Sequence, residues 1–148
     1  MTGLLPPTPA VLRAYRASTY TAGRVVARVG QRPDGVTGRW AGRDLVLLSA
    51  CNPGGRRLPD GWNRRMMDRL RETLRGTDHA DGEGRLGRWS EPLLLAAMSP
   101  RRGLVLARRF RQNAVVVLRD YRPARLLLLA GPGSRTSVSS RPDAGAGR

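Results

Sequence analysis

No apolar run in this sequence is longer than about six or seven residues, far short of the ~20 that a membrane-spanning helix needs. Segments this short and this apolar read as strands of one buried sheet. Leu45–Ala50 is the first compact run, read as a central strand. Pro92–Met98, Asn113–Leu118 and Arg125–Ala130 follow. The last two flank Asp120-Tyr121-Arg122-Pro123 and read as a hairpin with a longer loop. Thr19, Tyr20, Val25, Val26 and Val29 mark a further strand over 19–30, followed by a turn-rich stretch, 31–43.

Between these segments the period changes to that of helices. Thr8-Pro9 reads as N-cap and first helical position of a short helix through Leu12 and Tyr15. Trp62, Met66, Met67, Leu70 and Leu74 share one arc of a helical wheel, with Asp60 as its N-cap and Gly76 ending it. Ser99-Pro100 repeats the capping pair ahead of a helix to about Arg111. Residues 51–61 and 77–91 read as loops, the latter holding four acids, two arginines and the single histidine, His79. Strand, helix and strand over 93–118 suggest one right-handed crossover. The expected fold is α+β: a two-layer sandwich with a mixed, mostly antiparallel sheet of four to five strands, two main helices and a short N-terminal helix. One domain spans 9–130, with a flexible lead-in (1–8) and a disordered Gly/Ser/Pro/Ala/Arg tail (131–148); 148 residues are too few for two ordinary domains.

The formal charge is +16, from 27 basic and 11 acidic residues. Every basic residue is arginine; lysine and isoleucine are absent, and asparagine occurs three times. GC-rich codon usage accounts for this bias, which weakens the charge as a sign of nucleic-acid binding. Residues retained against that pressure stand out: Asn52, Asn63, Asn113, Phe110, Tyr15, Tyr20 and Tyr121. A lone Cys51 makes no internal disulfide, and the first twenty residues lack the apolar core of a secretory signal, so a cytoplasmic protein is expected, with no membrane partner.

Two constellations carry the functional expectations. Asn52, Asn63, Glu91, Gln112 and Asn113 are polar pocket candidates, because Asn52 follows a buried strand, where α/β sheets place ligands, and rigidly held amides and carboxylates orient a ligand. The competing reading is that they satisfy loop backbone. Arg101 and Arg102, in the first turn of a helix, together with Arg64, Arg71, Arg75, Arg108 and Arg109, are anion-binding candidates. Trp62, Trp89 and Tyr121 are available to stack a base. The competing reading is a solvated face. Cys51 and His79 as nucleophile and base, or Asp78, His79, Asp81 and Glu83 as metal ligands, are weaker patterns, and neither a metal nor a cofactor is expected.

The segments Ala14-Tyr15-Arg16-Ala17-Ser18-Thr19-Tyr20, Ser49-Ala50-Cys51-Asn52-Pro53, Trp62-Asn63, Trp89-Ser90-Glu91-Pro92 and Phe110-Arg111-Gln112-Asn113-Ala114, in that order and spacing, resemble a bacterial family of uncharacterised proteins, domain of unknown function 3293. The resemblance covers roughly 10–130 and implies a bacterial, cytosolic single domain. It supplies no catalytic residue. The expected function is binding of an anionic partner, nucleic acid or a phosphorylated small molecule, through the arginine face. The alternatives are a small enzyme built on Asn52, Asn63, Glu91 and Gln112, or a protein-interaction domain. The sequence leaves the oligomeric state open.

Overall fold

The computed structural model describes residues 6–129. The expected tail and the first five residues of the lead-in lie outside them. Helix α1 (Pro9–Ala17) begins where the Thr8 hydroxyl accepts the Val11 N–H at 3.2 Å. Helix α2 spans Asp60–Thr73 and helix α3 spans Pro100–Arg109. As expected, Ser99 caps α3 by accepting from the Arg102 N–H. Asp60, expected as the α2 cap, is instead its first residue. It still carries a negative charge in the first turn, where the helix dipole favours one.

The sheet overturns the expected four- to five-stranded two-layer sandwich. Among the described residues there are seven strands: β1 (Thr19–Ala22), β2 (Val25–Ala27), β3 (Asp44–Leu48), β4 (His79–Leu86), β5 (Trp89–Ala97), β6 (Ala114–Arg119) and β7 (Arg125–Leu128). Their spatial order is β2-β1-β4-β5-β3-β6-β7, and every neighbouring pair is antiparallel. The α3 crossover exists, but it steps over β3, so β5 and β6 never pair and the sheet is not mixed. The overall class remains α+β.

Two misread segments explain the difference. The stretch 19–30 is a hairpin rather than one strand: Gly23 adopts φ 57° in a two-residue turn between the paired Ala22 and Val25, the geometry such tight hairpins require. The expected loop 77–91 is mostly β4 and the start of β5, joined by a second two-residue turn at Gly87 (φ 59°). Glycine weakens a strand in isolation but marks tight bends and close backbone approach in curled sheets. In β4, Ala80, Gly82 and Gly84 share one side by strand alternation, and a side chain added at Gly84 would meet the Tyr20 ring at 3.3 Å. These small residues let β1 fold tightly over β4.

The sheet curls until its two ends meet. Gly30 donates to the Ala124 carbonyl at 2.8 Å, and Ala124 donates to the Gln31 carbonyl at 2.8 Å, joining the segment after β2 to the one before β7. Alternation then gives the central strands two apolar faces. Leu45 and Leu47 of β3 point inward with Leu93, Leu95, Val116, Leu118, Tyr20 and Trp40. Val46 and Leu48 point outward to Met67, Leu70, Leu74, Leu106 and Phe110 of the helical layer. Helix α3 lies so close to β3 that a Cβ at Gly103 would sit 2.8 Å from a Val46 methyl. No helix of the described residues is long and apolar enough to cross a membrane.

Candidate functional site

One end of the curled sheet is open, and α1 lies beside it. There the strands bound a cavity of about 640 Å³ lined by all five polar pocket candidates: Asn52, Asn63, Glu91, Gln112 and Asn113. Glu91 reaches it by strand alternation. Leu95 and Leu93 fill the interior of the curl, and Glu91 is the next inward position, two residues beyond the core, opposite Gly84 of β4. An apolar row thus ends in a carboxyl group. Tyr20 of β1 and Tyr15 of α1 line the same cavity, and the Tyr20 hydroxyl donates to the Tyr15 carbonyl at 2.9 Å.

The amides divide into those that hold the frame and those that face the space. Asn63 is fully committed: its Oδ1 accepts the Asn52 N–H at 2.9 Å, and its Nδ2 donates to Asn52 Oδ1 at 2.9 Å and to the Leu58 carbonyl at 3.3 Å. Asn52 Oδ1 also accepts the Leu58 N–H at 2.9 Å. This lock holds Asn52 at φ 47°, a left-handed conformation that asparagine tolerates better than most residues. Gln112 donates to the Cys51 and Phe110 carbonyls at 3.0 and 3.2 Å. Asn63 and Gln112 are therefore frame residues, as the competing reading anticipated. Asn113, almost wholly buried, faces the Tyr15 hydroxyl.

Glu91 makes no ion pair among the described residues, in a chain with 27 arginines. Burial raises its pKa above the usual carboxylate value; Ser49 and Asn52 oppose the rise. The Ser49 hydroxyl itself donates to the Pro92 carbonyl at 2.8 Å, so burial dominates. Burial likewise pushes Tyr20 up to about 12 and raises Tyr15, and the Glu91 charge adds to both shifts. A carboxyl whose proton affinity rises on folding contributes stability that is complete below its unfolded pKa and lost as pH rises through the folded value. Glu91→Gln is therefore expected to be more stable than the parent at neutral pH. The difference should close as pH falls through the ordinary carboxyl range, which urea midpoints measured between pH 4 and 8 would show.

The arginine candidates do not gather into one site. Arg71 pairs with Asp81 at 2.9 Å and with Asp68 at 3.0 Å, and Arg75 pairs with Glu72 at 3.2 Å. Arg102 donates to the Thr77 hydroxyl at 3.1 Å. Arg101, Arg108 and Arg109 are exposed on α3, and Arg64 is an exposed residue lining the cavity. Trp89 stands half exposed at the cavity, Trp62 lines a separate groove, and Tyr121 belongs to neither. Cys51 and His79 lie toward opposite ends of the sheet: His79 pairs with Ala96, whereas Cys51 follows β3 beyond the Leu48–Leu94 pair. Burial also pushes the Cys51 thiol up to about 11, leaving little nucleophilic thiolate at neutral pH. The acids of β4 do not assemble with His79, and no group of three or more metal-ligating side chains occurs among the described residues.

Tyr15 and Tyr20 are members of the site that the pattern of polar residues missed. Their persistence in an arginine- and alanine-rich composition was the available signal. Residues 48–115 match the model of a family described as Protein of unknown function (DUF3293), which shows over that segment the resemblance read from the sequence. The segment carries Asn52, Asn63, Glu91, Gln112 and Asn113, while Tyr15 and Tyr20 lie outside it. No curated protein and no solved structure matches the chain.

Proposed function

We propose that the DUF3293 segment of this chain, together with α1 and β1, forms a binding site for a small amphipathic anion. The observation that carries this reading is Glu91: a half-buried carboxyl with no cationic partner among the described residues, facing a mainly apolar cavity where α1, β1, the loop after β3, α2 and the α3–β6 loop each contribute a polar side chain. A pocket of a few hundred Å³ with apolar walls and a few convergent polar groups is the usual form of a small-molecule site. The ligand's apolar body would lie against Leu47, Leu93 and Val116. A hydroxyl or amide would meet Glu91, since a +16 surface repels free cations. A carboxylate or phosphate would face Arg57 and Arg64, both exposed and lining the same cavity; guanidinium suits either anion.

Glu91 also favours a catalytic reading. A carboxyl held above its usual pKa is a stronger base and can take a proton from, or return it to, the hydroxyl or amide it meets. The first test is a thermal-shift panel of aryl and alkyl carboxylates and phosphates, with and without a hydroxyl. Hydroxylated members at about 100 times their Kd are expected to stabilise by roughly 2.7 kcal/mol. Ala14→Trp, which fills the cavity, should abolish the response, and Glu91→Gln should remove the preference for the hydroxyl. A panel that shifts nothing, or that shifts Ala14→Trp equally, would refute the site. With a ligand in hand, binding kept but turnover lost in Glu91→Gln would establish the catalytic role.

A further inference from the structure

A second concavity, of about 420 Å³, lies on the helical side of the molecule and shares only Leu58 with the first. One wall is Trp62 and Met66 of α2. The other is Arg109, Phe110 and Arg111 at the end of α3, and the turn Pro53–Gly54 with Arg56 completes it. Among the described residues no acidic side chain lines it, and Arg56, Arg109 and Arg111 enter no ion pair.

The turn ties the two walls together, through Asn63 of α2, which accepts the Asn52 N–H, and through Arg111 at the end of α3. The Gly54 N–H donates to the Arg111 carbonyl at 2.7 Å, and Gly55 donates to the Asn52 carbonyl at 2.9 Å. Arg111 is held at φ 54° and Asn52 at φ 47°. Such left-handed conformations persist only where surrounding structure enforces them. The arginines therefore project from a rigid frame. Arginine at a helix C-terminus offsets the helix dipole, which accounts for Arg109. It does not account for Arg56, which comes from the turn that completes the groove, or for the half-buried tryptophan on the α2 wall.

We infer that this groove binds a short stretch of single-stranded nucleic acid, with one base against Trp62 and neighbouring phosphates against Arg56, Arg109 and Arg111. Stacking on an aromatic face within a positively charged groove is how single strands are held without sequence readout. The guanidinium fork matches phosphate oxygens. A strand, rather than a free nucleotide, is favoured because the basic surface extends beyond the groove along α2: exposed Arg65 lies one helical turn from Trp62.

The test is fluorescence anisotropy with the full chain and a labelled 12-nucleotide oligo(U), between 50 and 200 mM salt. Binding is expected with a log–log salt slope of about −2, near −0.7 for each of three phosphates. Arg56→Gln/Arg109→Gln/Arg111→Asn should weaken it at least tenfold, and Trp62→Leu at least fivefold. Circular dichroism confirms that each variant folds. A control triple, Arg24→Gln/Arg28→Gln/Arg32→Gln, removes the same charge near β2 and should cost less than threefold. Absence of binding at 50 mM salt would overturn the inference, as would equal losses from the two triples, since that means diffuse charge. Equal affinity for a duplex of the same length, whose bases cannot reach Trp62, would overturn it too, and so would competition by UMP at the oligomer's own concentration.

Discussion

Gly82→Ala is expected to destabilise the protein by about 3 kcal/mol or more, at the upper end of what overpacking costs. A Cβ at this β4 position would run into the Thr21 carbonyl oxygen and approach the Ala22 Cβ at 2.9 Å. Both obstacles belong to the neighbouring strand, one of them backbone, so no rotamer change relieves them. β1 would have to move away from β4, opening the curl that brings Tyr20 toward Glu91. A loss of this size is a large fraction of the ~5–15 kcal/mol that holds a typical domain together. Gly61→Ala is the matched control. Nothing lies within 4 Å of its added Cβ, and alanine is the better helix residue by up to about 1 kcal/mol, so this variant should be neutral or slightly stabilised. Urea denaturation of the two variants checks both expectations. A Gly82→Ala loss below 1 kcal/mol would mean that β1 does not press on β4 as described.

Asn63→Leu is the second variant with a large expected effect, about 2–4 kcal/mol. The leucine removes the acceptor for the Asn52 N–H and the donor to Asn52 Oδ1 and the Leu58 carbonyl. Partly buried backbone groups left unpaired cost ~1–3 kcal/mol each. Asn52 would lose what holds it at φ 47°, and the loop to Leu58, which separates the cavity from the arginine groove, would loosen with it. Hydrogen exchange should show the Asn52 and Leu58 amides, protected in the parent, exchanging far faster in the variant, while β3 and β5 amides change little. Asn63→Asp keeps the acceptor but sets oxygen against Asn52 Oδ1, and should fall between the two. Unchanged protection at Asn52 would show that the side-chain lock does not order this loop.

Local chemistry was readable from the sequence; geometry at a distance was not. Thr8-Pro9 and Ser99-Pro100 announce their helices because a cap and a first turn lie within four residues of each other. The buried arc Met67, Leu70 and Leu74 follows from a single helical period. β4 was invisible because its three small inward residues (Ala80, Gly82 and Gly84) look like turn chemistry until β1 is seen packed against them. Likewise, Val25 to Val29 reads as the continuation of β1, since only the positive φ of Gly23 reverses the chain. That Leu93 and Leu95 lead to Glu91 is visible as alternation, but whether a carboxyl there meets solvent or a cavity depends on closure of the sheet by strands far away in sequence. The separation of Asn63 and Gln112, which brace the frame, from Glu91 and Asn113, which face the space, rests on hydrogen bonds that no spacing rule supplies.

Glu91 is where the cavity reading is most exposed to test. A carbon-detected NMR titration that follows the Glu91 side-chain carboxyl in the full chain, with Glu91→Gln for assignment, reports its proton affinity directly. A midpoint above the ordinary 4.5 is the expected result. A midpoint at or below 4.5 would place this carboxyl in water or beside a guanidinium, and the pocket would then lose the group around which the others gather.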